Sequence, residues 1–304
     1  MRRGISVVLA AFCATVAAAQ LRVVEVERLP TGEAGAWSQP RFSPDGGRLY
    51  FTRHDLNGIW EYRFEDRSLK QITEDPGSGY GFALSADGSR LAYRRTTIDR
   101  SSRRRTQEIV VTSLVDGSSS TLTAGRDLSL PAFSGDAVVY AGKETRRDRP
   151  GRPAPEVSLI GIQETKIALY VGGRTLLLDP LEEGRYIWPS LSPEGDRILA
   201  VAMEGGAFIC DLQGKVLSRL GRRNAPAWTR DGRWIIYMDD SDDGHRITGS
   251  DICFVSADGL QSGRLTVSEH SFEMYPDCSP VENRIACSTA AGEILVLRYE
   301  EAAR

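Results

Sequence analysis

The sequence predicts an all-β fold, a six-bladed β-propeller whose ring closes when a strand near the start of the chain joins the last blade. Three observations predict it. One hairpin unit recurs six times at blade-like spacing, the last copy stops one strand short, and a strand-like segment precedes the first copy.

The unit is clearest as Pro40-Arg-Phe-Ser-Pro-Asp-Gly-Gly-Arg-Leu-Tyr-Phe51 and as Pro189-Ser-Leu-Ser-Pro-Glu-Gly-Asp-Arg-Ile-Leu-Ala200. Its anchoring hydroxyl residues are Ser43, Ser85, Ser134, Ser192, Thr229 and Ser279, spaced 42, 49, 58, 37 and 50 residues apart. That is the period of propeller blades with loop insertions. Three positions before the anchor stand Pro40, Pro131, Pro189, Pro226 and Pro276, with Phe82 in the second copy. One position before it stand Phe42, Leu84, Phe133, Leu191, Trp228 and Cys278. Six and eight positions after it come Leu49 and Phe51, Leu91 and Tyr93, Ile198 and Ala200, Ile235 and Tyr237, Ile285 and Cys287. The third copy has a tighter turn and places Val138 and Tyr140 there.

Each element of the unit has a physical reason. Proline donates no ladder hydrogen bond, so it is expected at the first residue of a strand. The Asp-Gly step reverses the chain, with Gly supplying positive φ. Two-residue spacing then puts both apolar side chains on one face of the returning strand. A third strand is expected at Ile59 to Phe64, Glu108 to Leu114, Ala207 to Leu212 and Asp251 to Val255. A short fourth follows, as in Leu69 to Thr73 and Gly263 to Thr266. The sixth copy ends after Glu293 to Arg298, and Leu21 to Leu29 is the strand available to complete it. Closure of that kind leaves only short, protected sheet edges.

The first residues read as an export signal. Arg2 and Arg3 precede an apolar run from Ile5 to Ala14, and Ala17 and Ala19 offer small residues at a cleavage position. The expected division is a signal peptide over 1–19 and a propeller over 20–304, in the periplasm or secreted, with no membrane span in the mature chain. Lys and Arg number 38 against 41 Asp and Glu, which excludes the basic surplus of a nucleic-acid binder. Cys210, Cys253, Cys278 and Cys287 match no zinc spacing and read as small buried hydrophobes rather than bridges.

Pro-x-Phe-Ser-Pro-Asp-Gly followed by x-x-Leu-x-Tyr resembles the repeat of TolB-type propellers, a WD-like group with Ser-Pro-Asp-Gly turns. The resemblance covers nearly all of residues 37 to 298. It implies a periplasmic or extracytoplasmic propeller that binds protein partners, and a monomer is expected. TolB carries an α/β domain before its propeller, for which this chain shows no counterpart, so the Tol-Pal role is not implied.

Two kinds of site stand out. Asp239, Ser241, Asp243 and Gly244 match the opening of a calcium loop, with Asp251 nearby. Ser250 stands where the closing Glu belongs, which favours a metal-free hydrogen-bonded turn over a cation site. The third reading is a partner surface built from Asp240, Asp242 and His245. Arginine clusters at Arg94-Arg95, Arg100 and Arg103 to Arg105, then at Arg146, Arg147, Arg149 and Arg152, follow the second strands of neighbouring blades. Arg103, Arg104, Arg105, Arg146 and Arg147 are candidates for holding an anionic ligand or acidic envelope protein, against the alternative of solvated loops.

Catalytic motifs are missing. His54, His245 and His270 fall in different repeats, and there is no Gly-x-Ser-x-Gly or His-Glu-x-x-His. Binding without a cofactor is therefore the expected work. The alternative is a secreted carbohydrate-active or metal-dependent enzyme using His54-Asp55 or the acidic His-containing segment.

Overall fold

The computed structural model describes residues 19–32, 37–99, 101–141, 145–147, 157–182, 184–268 and 271–303. Strands account for nearly all of its regular structure, and no helix among these residues is long and apolar enough to cross a membrane. The predicted export signal lies outside the described residues apart from Ala19, as do Arg100, Arg149, Arg152 and His270.

All six repeats form blades. Blade 1 is β2 (Trp37–Phe42), β3 (Arg48–Arg53), β4 (Ile59–Arg63) and β5 (Leu69–Thr73). Blade 2 is β6 (Phe82–Leu84), β7 (Arg90–Ile98), β8 (Arg105–Ser113) and β9 (Ser119–Gly125). Blade 3 has three described strands, β10 (Ala132–Ser134), β11 (Ala137–Ala141) and β12 (Thr145–Arg147). Blade 4 is β16 (Tyr186–Leu191), β17 (Arg197–Ala202), β18 (Gly206–Asp211) and β19 (Val216–Gly221). Blade 5 is β20 (Asn224–Trp228), β21 (Trp234–Asp242), β22 (Ile247–Ser256) and β23 (Ser262–Arg264). Blade 6 combines β24 (Glu273–Cys278), β25 (Arg284–Thr289) and β26 (Ile294–Ala303) with β1 (Ala19–Arg28), antiparallel to β26 from Ala19↔Ala303 to Arg28↔Leu295.

The long third spacing holds more than a loop insertion. Residues 157–178 form a separate three-stranded sheet of β13 (Val157–Gln163), β14 (Lys166–Val171) and β15 (Arg174–Leu178). It stands in the ring between blades 3 and 4. Ala168 packs with Val139 of blade 3, whereas Ile167 and Leu169 pack with Ile198 and Ala200 of blade 4. The six repeat-bearing blades thus share the ring with a seventh sheet that lacks the repeat. Its first hairpin turns on Glu164 and Thr165, both at positive φ, in place of the Ser-Pro-Asp-Gly turn.

The same alternation builds every core. On β3, Leu49 and Phe51 face blade 6, while Tyr50 between them faces blade 2. On β21, Ile235 and Tyr237 face blade 4, while Ile236 faces blade 6. Each second strand is therefore apolar on both faces, as a strand sandwiched between two sheets must be. Leu21 of β1, only 2% exposed, joins Trp234 and Tyr299 in the core between blades 5 and 6.

The repeat's polar residues build its turn. Ser43 Oγ donates to Asp45 Oδ1 at 2.5 Å and accepts from Arg48 N at 2.9 Å, while Gly47 N donates to Asp45 Oδ1 at 3.0 Å. Ser85 with Asp87 and Thr229 with Asp231 repeat the arrangement. All six anchoring hydroxyl residues are buried. Gly46 has φ +67°, and a Cβ there would stand 2.4 Å from Val281 of blade 6, so both conformation and close approach require glycine. Among the described residues the cysteines are free thiols; Cys210, Cys253 and Cys287 are buried and Cys278 is partly buried.

Candidate functional site

The innermost strands correct one expectation. In four of the blades proline does not open them, whereas Pro131 directly precedes β10. Pro40, Pro189, Pro226 and Pro276 lie inside β2, β16, β20 and β24, each at a bulge where the register jumps. The inner strand borders the channel, so a residue without an N–H is tolerated there as on any sheet edge.

The residue before each of these prolines has positive φ: Gln39 at 52°, Trp188 at 50°, Ala225 at 43° and Tyr275 at 54°. None is glycine, and a preceding position to proline normally favours extended backbone. Left-handed backbone at a non-glycine residue costs about 1–2 kcal/mol. The corresponding residue in blade 2 is Gly81, at φ 104°, and the bulge in β13 carries Gly161, at 105°. Glycine holds positive φ at these positions without that strain.

The four bulges surround one cavity of about 230 Å³ in the channel. Its walls carry Gln39, Trp188, Ala225 and Tyr275, the four prolines that follow them, and Arg41 and Asp277. Trp188 is 38% exposed. Asp277 Oδ2 accepts from Phe42 N at 2.8 Å, and Asp277 Oδ1 lies 3.4 Å from Arg41 Nη1. Burial pushes the Asp277 carboxyl above the ordinary range, partly offset by Arg41 and the Phe42 amide. The Arg41 side chain is 60% exposed, so its guanidinium keeps donors for a ligand.

A second space of about 380 Å³ shares Gln39 and Tyr275 with the first and is lined by His54, Leu56, Ile247 and Met274. His54 and Leu56 lie in the loop joining the second to the third strand of blade 1, Ile247 opens the third strand of blade 5 and Met274 lies in the first strand of blade 6, so second-to-third-strand connections reach this mouth. Two such hairpins are long. β7 and β8 extend to the exposed tip that carries Arg103, Arg104 and Arg105. β21 and β22 extend to Asp242, Asp243 and His245. A larger space of about 610 Å³ lies away from the channel, where Arg233 is already paired with Asp231 and Glu301.

The acidic segment is more regular than a loop. Asp239 to Asp242 belong to β21, with Asp239 opposite Asp251 and Ser241 opposite Gly249. Asp251 pairs with Arg264 at 3.0 Å and accepts from Ser268 N. Asp243 Oδ1 accepts from His245 N and Arg246 N, both at 2.9 Å, which holds its carboxyl below the ordinary range. Asn224 donates to Asp240, and Arg222 lies 3.9 Å from both Asp240 and Asp242. No three His, Cys, Asp or Glu among the described residues cluster to hold a metal.

The arginines divide. Arg95 pairs with Asp75 and Glu108, and Arg94 donates to Leu128 O, so both hold blade 2 and its connections to the neighbouring blades. Arg103 to Arg105 are exposed. The backbone of Arg146 and Arg147 lies in β12, opposite Tyr140 and Val139. His54 reaches the channel mouth, but His245 and the acidic side chains do not line it. The sequence reading missed Gln39, Trp188 and Tyr275. The X-Pro step was the available signal, yet its local preference pointed to extended backbone.

No family model and no curated protein matches the sequence. Solved structures share its fold. TolB from Acinetobacter baumannii is 18% identical, with a TM-score of 0.55 over 80% of this chain and 57% of that one. The chain thus spans little more than half of TolB's length. The Cps50 (Swd1) β-propeller domain of Myceliophteria thermophila is 10% identical, with a TM-score of 0.62 over 92% and 99%. An oligogalacturonate lyase in complex with manganese is 13% identical, with a TM-score of 0.52 over 88% and 78%. These likenesses establish a β-propeller.

Proposed function

We propose that this chain is an exported, TolB-type propeller of the cell envelope that binds a partner or ligand at the mouth of its central channel. The observation that carries the reading is the set of strained side chains around one cavity. Gly81, at the equivalent position of blade 2, holds positive φ with no side chain at all. Gln39, Trp188 and Tyr275 hold left-handed backbone and present side chains to the same space. Residues kept at such a conformational cost cluster at ligand sites. A concave space with aromatic walls and a few polar groups is the usual form of a binding pocket. The basic tip at Arg103 to Arg105 and the acidic tip at Asp242 and Asp243 extend the surface available to a protein partner.

The reading is tested by placing a photo-crosslinking amino acid at Tyr275 or Arg104 and irradiating intact cells. The expected result is a discrete adduct from these positions and none from Leu260, an exposed residue in a turn away from the channel mouth. Equal labelling from all three positions, or none, would overturn it. The export part predicts a periplasmic product beginning at Gln20. Recovery of the chain from the cytoplasm with Met1 in place would refute that part.

A further inference from the structure

We infer that the channel cavity is a subsite for one neutral sugar ring, stacked on Trp188; this rests on the reading of the channel as the binding site. The cavity, at about 230 Å³, is smaller than the roughly 300–1,000 Å³ that holds a drug-sized molecule, so it takes one ring-sized group. Trp188 offers an accessible aromatic face, and Tyr275 stands on another blade of the same wall. A pyranose presents C–H groups to such a face and hydroxyls around its rim.

The polar groups match that rim. Gln39 both donates and accepts, Arg41 donates, and Asp277 accepts. Hydroxyls need both kinds of partner. An apolar or aromatic peptide side chain entering the same space would leave buried donors and acceptors unmet, which is expensive. Arg41 and Asp277 stand 3.4 Å apart as a pair of opposite charge, so an ionised sugar finds no uncompensated cation.

Glycine substitution at the strained positions separates binding from folding. Trp188→Gly and Gln39→Gly remove side chains while relieving left-handed strain, so both variants keep or raise the melting temperature. The probes are glucose, N-acetylglucosamine and glucuronate, with Gly-Tyr-Gly amide as the peptide comparison. Saturation-transfer NMR and titration calorimetry read binding without relying on tryptophan emission. Expected is saturable, millimolar binding of at least one neutral sugar, weakened about tenfold or more in Trp188→Gly at unchanged melting temperature. Three results would overturn the inference: no saturable sugar binding up to about 100 mM, sugar binding unchanged in Trp188→Gly, or preference for glucuronate or the peptide. Adducts from Tyr275 in cells, combined with no sugar binding, would sink this inference and leave the channel-binding reading standing.

Discussion

Arg284 Nη2 donates to the Gly46 carbonyl at 2.8 Å, tying the hairpin of the last blade to that of the first across the seam of the ring. Its guanidinium also lies 5.6 Å from the Phe42 ring and 4.5 Å from Phe64. The repeat reproduces the device. Arg197 of blade 4 reaches Gly232 O and the Trp228 ring of blade 5, and Arg90 of blade 2 reaches Asp136 O and the Phe133 ring of blade 3. In these three copies the arginine five residues after the anchor is thus an inter-blade tie. Arg284→Ala should lower stability by about 2 kcal/mol, combining a charged hydrogen bond with the loss of aromatic stacking. Arg284→Lys should recover only part, because the ammonium is not planar. Denaturant melts of both variants check this; equal stability of the two would refute the stacking contribution.

Leu21 tests ring closure. Its side chain fills the core beside Trp234 and Tyr299, whereas Val26 on the same strand is 56% exposed. Leu21→Ala should cost about 2–4 kcal/mol and Val26→Ala well under 1. Deleting residues 20–29 should leave β26 with an open edge and promote aggregation. A deletion that melts like the intact protein would contradict the closure.

Asp277 gives a pH dependence with a definite sign. Its carboxyl is raised in the folded protein, so the folded state holds the proton more tightly than the unfolded one. The contribution of this group to stability therefore falls as pH rises from the unfolded value near 3.8 through the raised folded value. Asp277→Asn should remove that fall while keeping an acceptor for Phe42 N, and should melt no lower than the parent at pH 7. Asp277→Ala, which leaves the amide without this acceptor, should melt lower. Melts at pH 4 and pH 7 distinguish these outcomes.

The turn aspartates act in the opposite sense. Hydrogen bonds from Ser85 and from Ser89 hold the Asp87 carboxyl down to about 2. Stability from this group is present above the unfolded value of 3.8 and is lost as pH falls through about 2. Asp87→Asn should therefore flatten part of the acid limb of the stability profile, measured by urea melts between about pH 5 and pH 2. An acid limb identical to that of the parent would count against this assignment.

The acidic hairpin makes a prediction about calcium. Asp243 Oδ1 accepts two backbone N–H groups, a duty that an asparagine carbonyl oxygen can also perform. Asp243→Asn is expected to be nearly neutral, and millimolar calcium is expected to leave the melting temperature unchanged. A calcium-dependent rise of several degrees that Asp243→Asn abolishes would establish a cation site instead.

The sequence by itself determined the six repeats, the buried pairs after each turn and the strand that closes the ring. Those features are local: a hydroxyl anchor, an Asp-Gly reversal and alternate apolar residues act within about twelve positions. Only the tertiary structure decided the remainder. The sheet over 157–178 has no Ser-Pro-Asp-Gly turn, and its place follows from Ala168 and Leu169 packing against different blades. The channel cavity joins residues from four blades, separated by up to 239 positions between Gln39 and Cys278. No periodicity along the chain specifies that convergence. The left-handed backbone before Pro40, Pro189, Pro226 and Pro276 runs against local preference, and it exists because the surrounding bulge and ring geometry hold it there.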